Sequence, residues 1–284
     1  MGKLIISEGL RMTKTLCFRI FMIFCAAYGA ITVISEYVDV TGMRGRGFEV
    51  DLAVDYVVFS GCITVFAAGA VFAAMFIGRE YSDGMVRNKL VVGHGRCGIY
   101  LANFILCAAA NVGAMLLNFL VTLVLGIPLL GMKMSVGELM FSVLMSIIAC
   151  IAVTSLQVLI PMLIGKKAAA TAAAIIFIFF GFGVTSFVDS RLKEPEYWSG
   201  MEMVITEEGE AAFKEQENTK NPYYLDEDTR KVFEFIDDFL PTSQLYHIAS
   251  LETPELAKTV VYDIIILIAV TEAGILVFRK KDIK

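Results

Sequence analysis

Residues 79–98 read REYSDGMVRNKLVVGHGRCG, and the fold turns on what this stretch is. Gly93, Gly95 and Gly98 spell G-x-G-x-x-G, the pattern of a dinucleotide-binding turn. Such a turn follows a buried strand, opens a helix, and is followed about 20 positions on by a carboxylate for the ribose. Here Gly93 follows a basic amphipathic stretch and precedes a long apolar one, and near the ribose position stands Asn118 in an apolar run. The glycines are a coincidence of composition. The stretch reads instead as a polar connection between two membrane helices. Gly84 turns the chain, and Gly93 and Gly95 release it into the next helix. Between them a short helix is expected from Tyr81 to Val92. Val86 and Leu90 share one side of it, with Tyr81 and Met85 beside them, while Arg87 and Lys89 project elsewhere.

The flanking sequence supports that choice. Of 284 residues 57% are hydrophobic and 19% charged, with a mean hydropathy of +0.70. A soluble domain carries about a quarter charged residues. The deficit is gathered into six runs long enough to cross a bilayer, at 17–35, 56–78, 99–127, 139–164, 168–188 and 259–278. The net charge of −5 is unevenly placed. If both ends are cytoplasmic, that side holds the basic starts and ends of the chain, Arg79, Arg87, Lys89, Arg96 and the turn Lys166–Lys167. Against these stand only Glu8, Glu80, Asp83 and Asp282. The acidic connections 36–55 and 189–258 fall on the other side, as the retention of Lys and Arg in cytoplasmic loops requires. CAAYGA at 25–30 offers small residues for a signal-peptide cleavage. But Arg19 would then lie inside the apolar core of the signal, and cleavage would leave five spans and spoil the charge pattern. The expected fold is an all-α integral membrane protein with six transmembrane helices and cytoplasmic N- and C-termini. A helical extracellular insertion lies between helices five and six. Residues 1–188 form the membrane domain, 189–258 the acidic insertion, and 259–284 the sixth span with a basic tail.

Within this frame a few polar residues stand out. Residues 3–16 mix Leu4, Ile5, Leu10 and Met12 with Lys3, Arg11 and Lys14, which fits either a short helix on the inner membrane surface or a disordered start. Asn103, Asn111 and Asn118 fall on one face of the third span, and Gln157 lies in the fourth. Amides there point at other helices or at a polar path, and both readings stand. In the sixth span Asp263 is near the outer boundary, within reach of water. Glu272 is either a functional carboxylate or a partner of the nearby cytoplasmic cations. The fifth span opens AAATAAAIIFIFFGFG, a small-residue interface within the subunit or between two. In 189–258, clusters such as Glu207, Glu208 and Glu210 precede DEDTRKVFEFIDDFLP. That run is an amphipathic helix capped by Asp228 or Thr229 and ended by Pro241, with a second short helix in TSQLYHIASLE. Its apolar face packs on the span ends or captures a hydrophobic or cationic ligand.

Several chemistries are missing. GKKAAAT lacks the leading glycine and the final hydroxyl of a phosphate loop, so the chain itself has no ATPase motif. His94 and His247 fall on opposite sides of the membrane, and neither H-E-x-x-H nor G-x-S-x-G occurs. Six cysteines include no C-x-x-C and none in an exterior loop, which favours small interface fillers over disulfides or a metal site. No catalytic, cofactor-binding or metal-ligating residue is expected.

GREYSDGMVRNKLVVGHGRCGIYLANFI, residues 78–105, resembles the loop between the second and third spans of permease subunits of exporter-class (type-2) ATP-binding-cassette transporters. Glu80, Gly84, Arg87, Asn88, Lys89, Leu90, Gly93, Arg96 and Tyr100 fill the places of that motif. AGILVFRKKDIK, residues 273–284, resembles the same family's ending through Gly274, Phe278, Arg279, Lys280, Asp282 and Ile283. The resemblance implies a multi-pass cell-membrane permease that pairs with a second permease subunit, identical or not, around a translocation path. A cytoplasmic ABC ATPase dimer, carrying ATP and Mg, would drive it; membrane lipid is the other partner and nucleic acid is not one. It further implies that residues 80–92 are the coupling helix, with Glu80, Tyr81, Met85, Val86, Arg87, Lys89 and Leu90 at the ATPase contact. Asn103, Asn111, Asn118, Gln157 and Glu272 are the candidates for the path. Two other functions fit the residues: a proton-coupled carrier using Glu272, and a non-transporting sensor with 189–258 as ligand region.

Overall fold

The computed structural model describes residues 2–50, 52–198, 201–205, 211–215, 219–251 and 256–282. Helix α1 (Gly2–Lys14) leads into α2 (Leu16–Gly45), the short α3 (Asp55–Val58), α4 (Gly61–Ser82), α5 (Met85–Val91), α6 (Arg96–Leu130), α7 (Val136–Ile164) and α8 (Lys167–Leu192). Strands β1 (Tyr197–Trp198), β2 (Met201–Ile205), β3 (Ala211–Glu215) and β4 (Thr219–Lys220) follow. After them come α9 (Glu227–Phe239), α10 (Pro241–Ala249) and α11 (Leu256–Lys280). Among the described residues six helices are long and apolar enough to cross a membrane: α2, α4 with α3 before it, α6, α7, α8 and α11.

The six expected spans are present, and their helices overrun the apolar runs. α2 has 30 residues, about 45 Å at the helical rise, so it outlasts a hydrocarbon layer of roughly 30 Å. Glu36 and Asp39, expected in a connection, therefore lie on helix. Helices α4 and α7 form the middle of the bundle: 67% and 56% of their most apolar windows are buried, against 22% for α2 and 17% each for α8 and α11. The alanine-rich start of α8 has one clear partner within the chain. Ala170 and Ala174 close on Ala70 and Ala74 of α4, all four buried. The opposite side of α8 leaves Ile176, Phe179 and Phe180 exposed.

The insertion departs from the helical expectation. β1 pairs antiparallel with β4 and β2 with β3, so the segment after α8 contains a narrow strand ladder. Aromatic and branched residues such as Tyr197, Trp198, Val204 and Ile205 favour this extended form. The Glu207, Glu208 and Glu210 cluster lies outside the described residues. α9 starts earlier than expected because Asp226 is its cap, accepting from the Thr229 backbone N–H at 3.3 Å. The hydrogen bonds from Thr229 also hold the Asp226 carboxyl below the usual range. Pro241, which stops α9, opens α10, where its missing N–H costs nothing.

α10 goes where no sequence pattern pointed, into the bundle among α4, α7 and α8. Leu245 and Ile248 are core residues, and Thr242, Ser243 and Gln244 are buried with them. The Thr185 hydroxyl of α8 donates to Thr242 at 2.9 Å and accepts from Ser243 at 3.2 Å. These bonds satisfy hydroxyls that have lost water. The bundle thus has two unlike ends. The apical end holds α3, α9 and α10; the basal end holds α1, α5 and the last turn of α11.

Candidate functional site

At the basal end α4 runs on to Ser82, so Glu80 and Tyr81 belong to that span and not to the loop helix. Gly84 then takes a left-handed conformation, φ 68°, and α5 starts at Met85. This helix is shorter than the expected Tyr81–Val92. A left-handed residue cannot continue a right-handed helix, and glycine adopts it without strain. Gly93 is left-handed too, whereas Gly95, expected to serve the same release, is an ordinary extended cap of α6.

The orientation of α5 differs from the simplest amphipathic reading. Val86 is 1% exposed and Lys89 8%, both turned into the protein, with Met85 and Leu90 half-buried. Arg87 and Asn88 are exposed, and so are Val91 at 80% and Val92 at 77%. The lysine expected to project thus points inward, and two valines beyond the expected contact set point out. The reason is Glu80, which is completely buried. An unpaired carboxylate there would cost several kcal/mol, so the surrounding elements supply cations.

Lys89 Nζ donates to Glu80 Oε1 at 2.9 Å, and Asn103 Nδ2 of α6 donates to Oε2 at 3.0 Å. Arg11 of α1 pairs with Glu80 and with Glu8, and it also reaches the Met85 sulfur. Lys89 closes the ring to Glu8 at 3.3 Å. Two anions and two cations balance, and α1, α4, α5 and α6 meet at one point. Asn103, an expected path residue, is consumed in this network.

A second cluster joins the basal ends of α4, α6, α7 and α11. The Tyr81 hydroxyl donates to the Met162 carbonyl at 3.0 Å, and Lys281 Nζ donates to the same oxygen at 2.9 Å. Lys281 also stands 4.4 Å from the centre of the Tyr81 ring, a cation–π contact. Burial pushes its ammonium below the ordinary lysine range. Arg96, the first residue of α6, donates to the carbonyls of Phe278, Arg279 and Lys281 at the end of α11. Ile283 of the resembling ending lies outside the described residues.

The remaining path candidates are divided. Asn111 donates to Thr154 at 2.9 Å and to Gln157 at 2.8 Å, and Gln157 donates to the Phe66 carbonyl at 3.0 Å. Asn118 donates to the Cys25 carbonyl at 2.9 Å. All are essentially closed to solvent. They are held close by missing side chains: a Cβ on Gly69 would lie 2.6 Å from Asn111 Oδ1, and one on Gly61 only 1.9 Å from Asn118 Oδ1. The void bordered by Asn111, Gln157, Cys62 and Leu245 measures about 10 Å³, room for a single water and not for cargo. Glu272 is exposed on the outer face of α11. Asp263, expected within reach of water, is 1% exposed, and among the described residues neither carboxyl oxygen has a hydrogen-bond partner. The apical helices cover that end of α11, with Phe235 and Phe239 of α9 against Tyr262.

Fold and site together define a multi-pass membrane subunit whose short basal helix is anchored by buried ion pairs. The chain belongs to the ABC-2 family of transporter proteins: the family's sequence model matches residues 9–184, from α1 into α8. It is accordingly a permease subunit of an ABC transporter, a membrane channel component and not itself an ATPase, and such permeases normally work with an ATPase partner. No curated protein matches the chain.

Glu8, Arg11 and the contact between Arg96 and the tail were not singled out from sequence. One signal was available. A glutamate in the last turn of an apolar span requires neutralisation, and the nearest basic residues on amphipathic elements are the natural source.

Proposed function

We propose that this chain is the membrane subunit of an ATP-driven exporter, with its basal end in the cytoplasm and α5 as the helix that docks on a separate ATPase. The observation that carries the reading is a short helix locked on one face by the Glu80 network and presenting Arg87, Asn88, Val91 and Val92 on the other. A force-bearing contact needs an exposed face for the partner and a rigid link to the spans behind it. Burial of each valine contributes about 1.5 kcal/mol or more, and Arg87 steers the encounter. The excess of lysine and arginine at this end supports the cytoplasmic assignment.

The translocation path belongs between this chain and a second permease subunit in the cell membrane. Inside the chain the spans' amides are spent on one another. An apolar groove of about 590 Å³ runs between α2, α4 and α8, lined by Phe21, Phe24, Ala68, Val71, Phe179 and Phe182. A second subunit against that side would close it into a passage. Glu272, out of place against lipid, fits a protein or aqueous surface on the outer side of α11.

The test is co-purification of this chain with a separate ATP-hydrolysing subunit, together with ATP turnover of the complex. Val91→Asp with Val92→Asp, and separately Arg87→Glu, are expected to insert normally. The double variant is expected to lose the ATPase from the complex, and Arg87→Glu to weaken its binding about tenfold. Full retention of the ATPase by the double valine variant would overturn the docking assignment.

A further inference from the structure

The two segments that carry the family resemblance lie about 180 residues apart in the chain, yet they touch. α6 starts at the basal end and α11 finishes there, running antiparallel. Arg96 meets Phe278 and Tyr100 meets Gly274, one helical turn further along both helices. The Arg96 guanidinium donates to the carbonyls of Phe278 at 2.9 Å and Arg279 at 3.0 Å, and to that of Lys281. Phe278 is fully buried, with its ring 6.5 Å from that of Tyr100. Gly274 has no side chain where Tyr100 lies, and a Cβ there would sit 2.1 Å from the Tyr100 hydroxyl.

Arg96 is poorly placed for its own helix. A cation in the first turn opposes the helix dipole, and the last carbonyls of a neighbouring helix reverse that penalty. α11 packs chiefly on α7, and Lys281 adds a hold on Met162 and Tyr81, so its tie to α6 at the basal end rests on Arg96 and the Tyr100–Phe278 contact.

We propose that Arg96 is a positioning residue that latches the last span to the coupling element, so that α11 moves with α5 and α6 when the ATPase closes. This rests on the proposed docking of α5. Displacement entering at α5 then reaches α11 through the Arg96 contact as well as through the packing of α11 on α7.

The experiment uses the complete permease–ATPase complex with its native cysteines replaced. Spin labels are placed at Ile105→Cys on α6, away from the docking face, and at Leu276→Cys on α11, both exposed. Pulsed electron paramagnetic resonance gives their separation without nucleotide and after trapping with ATP and vanadate. In the parent the separation is expected to hold within about 2 Å, the size of an ordinary helix shift. In Arg96→Ala it is expected to change by more than that on trapping, and in Arg96→Lys, which keeps the charge and three donors, to be largely restored. Phe278→Ala keeps the carbonyl that accepts from Arg96 but removes the ring packed on Tyr100 in the same α6–α11 seam. It is expected to shift the separation in the same direction by less, and it serves if Arg96→Ala fails to assemble. A separation that shifts on trapping in the parent, or stays fixed in both Arg96→Ala and Phe278→Ala, overturns the latch. Absence of an ATPase from the purified parent complex is a separate and earlier result, and it removes the docking reading and the latch together.

Discussion

The two ends of the bundle are closed by different chemistry. At the basal end, residues far apart in the chain meet through charge: Glu80 with Arg11 and Lys89, and Arg96 with the last carbonyls of α11. At the apical end the inserted α10 is held to the spans by three hydroxyls, Thr185, Thr242 and Ser243, and by apolar residues such as Leu245. Its contact with a carboxylate, His247 to Asp237 at 2.7 Å, runs to α9 and not to a span. A neutral hydroxyl bond contributes only about 1 kcal/mol net, whereas removing one member of a buried ion pair costs about 3–5 kcal/mol. One end is thus built to resist rearrangement and the other to allow it. On the proposed export cycle that asymmetry is useful. The end that receives force holds its geometry, and the end away from the motor yields.

The strongest way to break this comparison is at Glu80. Glu80→Ala leaves Arg11 and Lys89 with only Glu8 between them, one buried cation in excess, so the expected loss is about 3–5 kcal/mol. Thermal unfolding of the purified protein in detergent measures it. Adding Lys89→Met to that variant removes the excess cation and is expected to recover part of the loss. Glu80→Ala as stable as the parent would mean that water or mobile ions already screen the cluster, and the stiff basal end would go with it.

A physical reason separates what was legible in the sequence from what was not. Span number, the turn at Gly84 and the amphipathic α9 depend on local pattern, on apolar runs, a glycine and a helical period, and these can be read along the chain. The Glu80 network was half legible. The residue stood out, but its pairing with Glu8 and Arg11 depends on how α1 folds back over α6, which local pattern does not encode. The facing of α5 was missed for the same reason: an apolar stripe through Val86 and Leu90 says that the stripe is buried, not what buries it. The amides of α6 show the limit most clearly. Local pattern leaves Asn111 and Asn118 open to path or glue; what seats them is Gly69 and Gly61 opposite, and those glycines carry no signal of their own in an apolar helix. α10 was expected as a helix, but its insertion rests on partners such as Thr185, in a part of the fifth span that no local pattern marks.

At the apical end the matching perturbation is Thr185→Val, which keeps shape and removes the hydroxyl shared by Thr242 and Ser243. Its expected cost is about 1–3 kcal/mol, because buried Ser243 loses its acceptor, with unfolding again as the measure. A loss as large as that of Glu80→Ala would mean that the apical seal is as stiff as the basal one, and the contrast between the ends would disappear.

The smallest expected effect returns to the basal end and asks whether charge alone makes it stiff. Arg79 and Asp83 form an ion pair at 3.2 Å beside Glu80, with side chains 59% and 48% exposed. Chemically it resembles the Arg11–Glu80 pair one residue away, yet water competes for both partners and salt screens them. Arg79→Ala is therefore expected to cost less than about 1 kcal/mol, and less still in high salt. Lys89, only 8% exposed, faces no such competition, so its contribution is expected to survive the same salt. Unfolding of the Arg79→Ala and Lys89→Met variants at low and high ionic strength separates the two cases. Equal salt sensitivity would place the Glu80 cluster in contact with solvent and make the basal end ordinary surface electrostatics.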